Sequence, residues 1–206
     1  DALGGYDPYS SSKACSEILT SSYRRSFFKD KEVRILTCRA GNVFGGGDWS
    51  DNRLIPDAMR AFSQKSPLQI RNPFSVRPWQ HVLEPLRAYL MLAEKSYQEI
   101  PSAFAYNIGP GDEDAVPVSE LATAMVGLWS DGAKWESPAD AKPGPHEAKF
   151  LKLDCSQVRS ELNWLPIINL KLGLEMTVRW YKSFYQERNV ETLKKIMRAQ
   201  IANSLE

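Results

Sequence analysis

Several things are scarce in this sequence, and each scarcity narrows it. There are two histidines and three cysteines in 206 residues. Cys15, Cys38 and Cys155 form no Cys-x-x-Cys and are odd in number, so no metal site is expected and a reduced intracellular compartment, the cytoplasm, is. There is no Asn-x-Ser/Thr sequon, no signal-peptide pattern and no apolar run of about 18 residues, so no segment is expected to span a bilayer. Charge of one sign is not in excess: 26 basic residues face 25 acidic ones, for a net charge of +1. That argues against nucleic acid or a membrane surface as the main partner. No internal repeat and no Gly-x-Gly-x-x-Gly fingerprint occur. The chain has no initiator Met and starts on a turn-rich stretch, which leads us to expect a piece of a longer protein.

What is present suffices for a sizeable core, since 43% of the residues are hydrophobic. Cys15, Leu19, Tyr23 and Phe27 recur every four residues beside Ile18, a helical stripe from Pro8 to Phe28. Val33 to Cys38 reads as a buried strand of a parallel sheet, followed by the glycine-rich loop AGNVFGGGDWSDN. A helix is expected at about Leu54 to Gln64, with Pro56 in its first turn, then a short strand at Leu68 to Ile70. A polar, proline-bearing loop is expected up to Trp79. Helix Glu84–Lys95 and strand Ala103–Gly109 come next, then a helix in PVSELATAMVGLW with Ser119 as a cap. Asp131 to Glu147 reads as loop with room for one short strand. AKFLKLDCS reads as a strand running into Asp154, an N-cap for the helix SQVRSELNW. Leu170 to Gln186 forms a long amphipathic helix with Leu174, Val178, Tyr181 and Phe184 on one face, and Val190 to Ile201 a last, more exposed one. Alternating strands and helices make this an α/β fold with parallel strands.

Tyr9 and Lys13 stand one helical turn apart. Residues at i and i+4 share a helix face, and an ammonium there favours the phenolate over the phenol. Such a tyrosine can take a proton from a sugar hydroxyl while a hydride leaves the same carbon. The pair is also common by chance, and two surface side chains would look the same. Its context favours chemistry: small residues (Ser10, Ser11, Ser12, Ala14) flank it, and a strand with an asparagine-bearing, glycine-rich loop follows.

YDPYSSSKACSE, RAGNVFGGGDWSDNRLIPD, RPWQHVLEPLRAYL, YNIGP and LNWLP, in that order, resemble the extended short-chain dehydrogenase/reductase family. Where relatives carry Arg-Asp-Trp/Phe-x-Tyr-Val-x-Asp, this chain has Arg77-Pro78-Trp79-Gln80-His81-Val82-Leu83-Glu84. GGGDW and IRNP…RPWQHV point to the branch that dehydrates CDP-glucose. The resemblance implies the C-terminal part of an NAD(P)-binding Rossmann fold, a doubly wound parallel sheet, plus a small α/β substrate-binding domain. Residues 1–50, continued at about 75–110, would belong to the cofactor domain. Residues 51–74 and 111–206 would mainly hold the nucleotide sugar. It further implies bound NAD, a 4,6-dehydratase reaction supplying deoxysugar and O-antigen synthesis, a nucleotide-sugar substrate and a homodimer. An epimerase or decarboxylase of the same family, and an inactive nucleotide-sugar-binding module, stay open beside it.

By the same resemblance Tyr9 is the base and Lys13 its partner on the cofactor ribose, with Arg39 at the cofactor. Asn42 would bind the sugar or its phosphates, although an asparagine before Gly45 also makes a turn. Gly45, Gly46 and Gly47 permit positive φ and close backbone approach. Arg77 is the leading candidate for the diphosphate, because a guanidinium offers a bidentate fork to phosphate oxygens. Arg53, Asn107 and His146 are second-rank substrate contacts, and Arg71 with Asn72 would help read the pyrimidine. A lone histidine such as His146 is also commonly structural. Trp49, Trp79, Trp129, Trp164 and Trp180 are open to base stacking, with core packing the alternative.

Overall fold

A computed structural model describes residues 3–98, 103–138 and 150–204. Helix α1 (Pro8–Phe27) starts where Asp7 caps it: an Asp7 carboxylate oxygen accepts the Ser10 N–H at 2.9 Å, and Pro8 occupies the first turn. Strands β1 (Thr37–Ala40) and β2 (Asn42–Phe44) follow in close succession. Next come α2 (Leu54–Ser63), β3 (Leu68–Gln69), β4 (Val76–His81), α3 (Leu83–Gln98) and β5 (Ala105–Ile108). A single 3-10 turn leads into β6 (Ala115–Pro117), α4 (Val118–Trp129) and β7 (Trp135–Glu136). Three helices close the chain: α5 (Ser156–Leu162), α6 (Leu170–Glu187) and α7 (Val190–Asn203).

Among the described residues the strands form three small sheets. β1 runs parallel to β5 with Ala40 opposite Ile108, β3 runs parallel to β7, and β4 lies between β2 and β6. The β2–β4 pair is parallel and the β4–β6 pair antiparallel. Two cores result. α2, α4 and α6 pack with β4 around Met59, Phe62, Leu121, Met125, Leu174, Val178 and Tyr181. The other core joins Ala88 and Leu92 of α3 to Tyr106 and Ile108 of β5 and to Val158 and Trp164. Buried Glu84 of α3 anchors the segment that leads into α6. Its Oε1 accepts the N–H groups of Ile167 and Ile168 at 3.0 and 2.7 Å, and its Oε2 pairs with Arg87 at 3.1 Å. Among the described residues no helix is long and apolar enough to cross a membrane.

The α/β architecture and parallel pairing match the sequence expectation, with local differences. The first strand lies at Thr37–Ala40 rather than Val33–Cys38 and is only half-buried. Among the described residues it pairs with β5 alone. The α1 stripe exists, yet Ile18, Leu19, Tyr23 and Phe27 face solvent and Ala14 is the buried residue of that helix. The expected loop before Trp79 is the buried strand β4. Pro78 is tolerated there because pairing with β2 begins only at Trp79, so Pro78 has a strand neighbour on the β6 side alone. Ser119 does not cap α4; Pro117 holds the cap position, and the Ser119 N–H donates to Pro73 O at 2.8 Å. Among the described residues, the strand expected before Asp154 shows one bridge, between Phe150 and Val76; Cys155 rather than Asp154 holds the cap position of α5, although an Asp154 carboxylate oxygen accepts the Ser156 N–H at 2.9 Å.

Candidate active site

A cleft of about 690 Å³ opens at the carboxyl end of β1. Open α/β sheets place ligands at that end of their strands. Ala40, Gly41 and Asn42 form its floor, β4 contributes Arg77 and Trp79, and the loop after β2 contributes Asp48, Ser50, Asn52 and Arg53. Val118, Leu151 and Leu153 add apolar wall, and Tyr9 stands at one side. Tyr9 is 63% exposed, with the Lys13 ammonium 5.4 Å from its ring centroid.

Backbone geometry explains why these groups converge. Asn42 pairs with Trp79, so β2 and β4 present their side chains to one space. Arg77 is 7% exposed, and its Nη1 donates to Val76 O at 2.8 Å, which fixes the guanidinium against the strand. Helix α2 begins inside the cleft. Arg53 holds its cap position without a side-chain cap bond, and Leu54 and Ile55 line the wall. The first N–H groups of a helix and nearby arginines are groups that suit an anion, and here those of Leu54 and Ile55 start α2 beside Arg53 and Arg77. Trp79 also lines the cleft, and its buried indole N–H meets no hydrogen-bond partner among the described residues.

The glycine loop is held from behind. A Cβ on Gly46 would land inside the Trp180 indole, and Gly47 has φ +84°. Trp49 lies on Trp180, Tyr181 and Phe184 at centroid distances of 6.2, 5.4 and 4.7 Å, and the Tyr181 hydroxyl donates to Asp48 O. The glycines therefore serve packing against α6 as well as turning. Of the five tryptophans considered for base stacking, Trp164 is core, Trp49, Trp129 and Trp180 belong to this aromatic cluster, and Trp79 reaches the cleft.

Tyr9, Asn42, Arg53 and Arg77 thus share one cleft, with Lys13 beside Tyr9. The other candidates lie elsewhere. Arg39 is outside the cleft lining, ion-paired to Glu17 at 2.8 Å. Asn107 donates to Asp154 O at 3.1 Å, and Arg71 sits exposed beyond β3. His146 lies outside the described residues. Sequence reasoning passed over Asp48, Ser50 and Asn52 in the cleft, and it passed over Glu17. Glu17 had a readable sign, since it continues the spacing of four that links Tyr9 to Lys13.

Residues 4–109 match the NAD dependent epimerase/dehydratase family. The chain belongs to that family. Among relatives of this epimerase/dehydratase chain, CDP-glucose 4,6-dehydratase of Salmonella typhimurium is 46% identical over 190 residues, covering 89% of the chain and 52% of the relative. The dTDP-glucose 4,6-dehydratase of Haemophilus influenzae is 27% identical over 185 residues, covering 84% and 51%. The chain spans about half the length of the curated relatives it matches. Its fold superposes on dTDP-glucose 4,6-dehydratase from Bacillus anthracis in complex with NAD, with TM-score 0.71, 21% identity, and coverage of 95% of this chain and 56% of the other. UDP-glucuronic acid 4-epimerase from Bacillus cereus, in complex with UDP-glucuronic acid and NAD, superposes with TM-score 0.71 at 17% identity, covering 90% and 58%. These two likenesses establish a fold shared with NAD-binding epimerases and dehydratases.

Proposed function

We propose that this chain supplies the sugar-nucleotide side and half of the oxidation site of a CDP-glucose 4,6-dehydratase. The observation that carries the reading is the convergence of Tyr9, Arg53 and Arg77 on one cleft large enough for a nucleotide sugar. The 46% identity to a CDP-glucose 4,6-dehydratase supports the choice of reaction and base. Arg77 and Arg53, with the start of α2, take the diphosphate. Asn42 orients the hexose, and Tyr9 accepts the proton of its 4-hydroxyl, assisted by the Lys13 charge.

NAD, when bound, supplies a hydride acceptor and donor for the sugar. The residues here fit its nicotinamide half: Tyr9 is accessible, Lys13 lies a turn away, and the serines between them leave room for a ribose. The glycine fingerprint for the pyrophosphate is not in this sequence. We further propose that residues 1–50 and about 75–110 face the cofactor and that residues 51–74 and 111–206 mainly face the sugar nucleotide. The product, CDP-4-keto-6-deoxyglucose, would serve deoxysugar and O-antigen synthesis in the cytoplasm, from a homodimer.

The test is to supply the full-length protein with CDP-, TDP-, GDP- and UDP-glucose and assay the 4-keto product. Product from CDP-glucose alone supports the reading. Product only from another nucleotide overturns the base assignment, and no product from any overturns the dehydratase. An epimerase is the second reading, favoured by the fold match to UDP-glucuronic acid 4-epimerase; a C4-inverted sugar in the same assay would establish it.

A further inference from the structure

Tyr9, Lys13 and Glu17 stand in line on α1, each four residues from the next. By spacing alone, the Glu17 carboxylate is within reach of the Lys13 ammonium. The structure places it elsewhere. Glu17 Oε1 lies 2.8 Å from Arg39 Nε, and Oε2 accepts the Thr37 hydroxyl at 2.7 Å, so both oxygens are held on β1. The Glu17 side chain is only 16% exposed. Lys13 instead lies over the Tyr9 ring.

We infer that Arg39 is a positioning residue for the Tyr9–Lys13 pair: by keeping the Glu17 carboxylate on β1, it leaves the Lys13 charge to the Tyr9 phenol. This deepens the proposed function and rests on its reading of Tyr9 as the base. It differs from the cofactor contact expected of Arg39 from the sequence. Without Arg39, Glu17 can turn along the helix to Lys13 and offset the charge that favours the phenolate. Other charged groups surround the set. Arg24 on α1 and the Cys38 thiol on β1 interact with Glu17, and Asp48, Arg53 and Arg77 share the cleft with Tyr9. The variants below leave all of these in place.

The experiment compares Arg39→Gln, Arg39→Lys, Glu17→Gln and the double Arg39→Gln/Glu17→Gln in the full-length protein. One readout is kcat/KM against pH. The other is ultraviolet titration of the phenolate, with the Tyr9→Phe spectrum subtracted, which needs no turnover. Arg39→Gln should move the acidic limb to higher pH by about half a unit or more. Glu17→Gln should leave the limb in place or lower it, and Arg39→Lys should keep it. The double variant should return to the wild-type position, because no carboxylate remains to reach Lys13. A purely structural role predicts instead that the double variant is at least as impaired as Arg39→Gln. An unmoved limb in Arg39→Gln, or a double variant still displaced, overturns the inference. Full activity in Tyr9→Phe overturns the catalytic reading of Tyr9, and the ultraviolet titration then still decides the electrostatic coupling.

Discussion

Acid should loosen the cleft through His81. This residue ends β4, is 2% exposed, and packs its ring edge-on to Phe44 at 5.9 Å. Its Nδ1 accepts the Leu83 N–H at 3.4 Å, and its Nε2 is buried without a hydrogen-bond partner among the described residues. Burial pushes its pKa down from 6.5 to about 4. A histidine depressed in the folded state stabilises the fold above its unfolded pKa and costs stability as pH falls from there toward the folded value. At about pH 5 the unfolded imidazole is almost fully charged and the folded one mostly neutral, a difference of about 2 kcal/mol. Asp114, which burial pushes up, works in the opposite direction, so the wild-type slope alone is ambiguous. The comparison that isolates His81 is His81→Phe, which keeps a ring against Phe44. Urea unfolding followed by far-ultraviolet circular dichroism should show wild-type stability falling about 2 kcal/mol further than the variant's between neutral pH and about pH 5. Parallel curves for the two proteins would refute a neutral, buried His81. Because β4 carries Arg77 and Trp79, sugar-nucleotide affinity should hold down to about pH 5 and weaken as the pH falls toward about 4, where the folded imidazole itself takes a proton.

Three further outcomes follow from the packing. Arg77→Ala should raise KM for the nucleotide sugar by roughly tenfold or more with a smaller effect on kcat, as expected for a diphosphate contact worth about 1.5–3 kcal/mol; steady-state kinetics check this, and a loss confined to kcat would contradict it. Gly46→Ala should force the loop off Trp180, cost about 1–3 kcal/mol in unfolding free energy, and raise KM together with it. Glu84→Ala should destabilise by about 3 kcal/mol in urea titration, since it leaves the Ile167 and Ile168 N–H groups and Arg87 without their shared carboxylate.

The helices were largely readable because each carries its own period and punctuation. Asp7 and Pro8 mark the start of α1, and Leu174, Val178 and Tyr181 mark the inner face of α6. β4 was not readable, because Pro78 argues against a strand unless the register of its neighbours is known. That register is a property of β2 and β6, far away in the chain. The solvent-facing stripe of α1 shows the converse: periodicity reveals which residues share a face, and only packing partners decide whether that face is covered. In the cleft, Tyr9, Asn42, Arg53 and Arg77 were picked out through the family resemblance that the ordered motifs carry, with the i, i+4 spacing of Tyr9 and Lys13 and the guanidinium of Arg77 as physical support. Asp48 and Asn52 became visible only once the loop was folded back by Tyr181 and Trp180. Gly46 was noticed for backbone freedom, whereas an indole from α6 occupies the space its side chain would need.

That same loop makes the molecule its own optical gauge. Trp49 stands between Asp48 and Ser50, two residues of the cleft wall, while its half-exposed indole rests on Trp180, Tyr181 and Phe184. Any ligand that draws Asp48 or Ser50 inward must drag this indole across its aromatic neighbours and change its contact with water. The emission of Trp49, taken as the difference from Trp49→Phe because Trp79 also lines the cleft, would then register occupancy without a dye, a label or a coupled reaction.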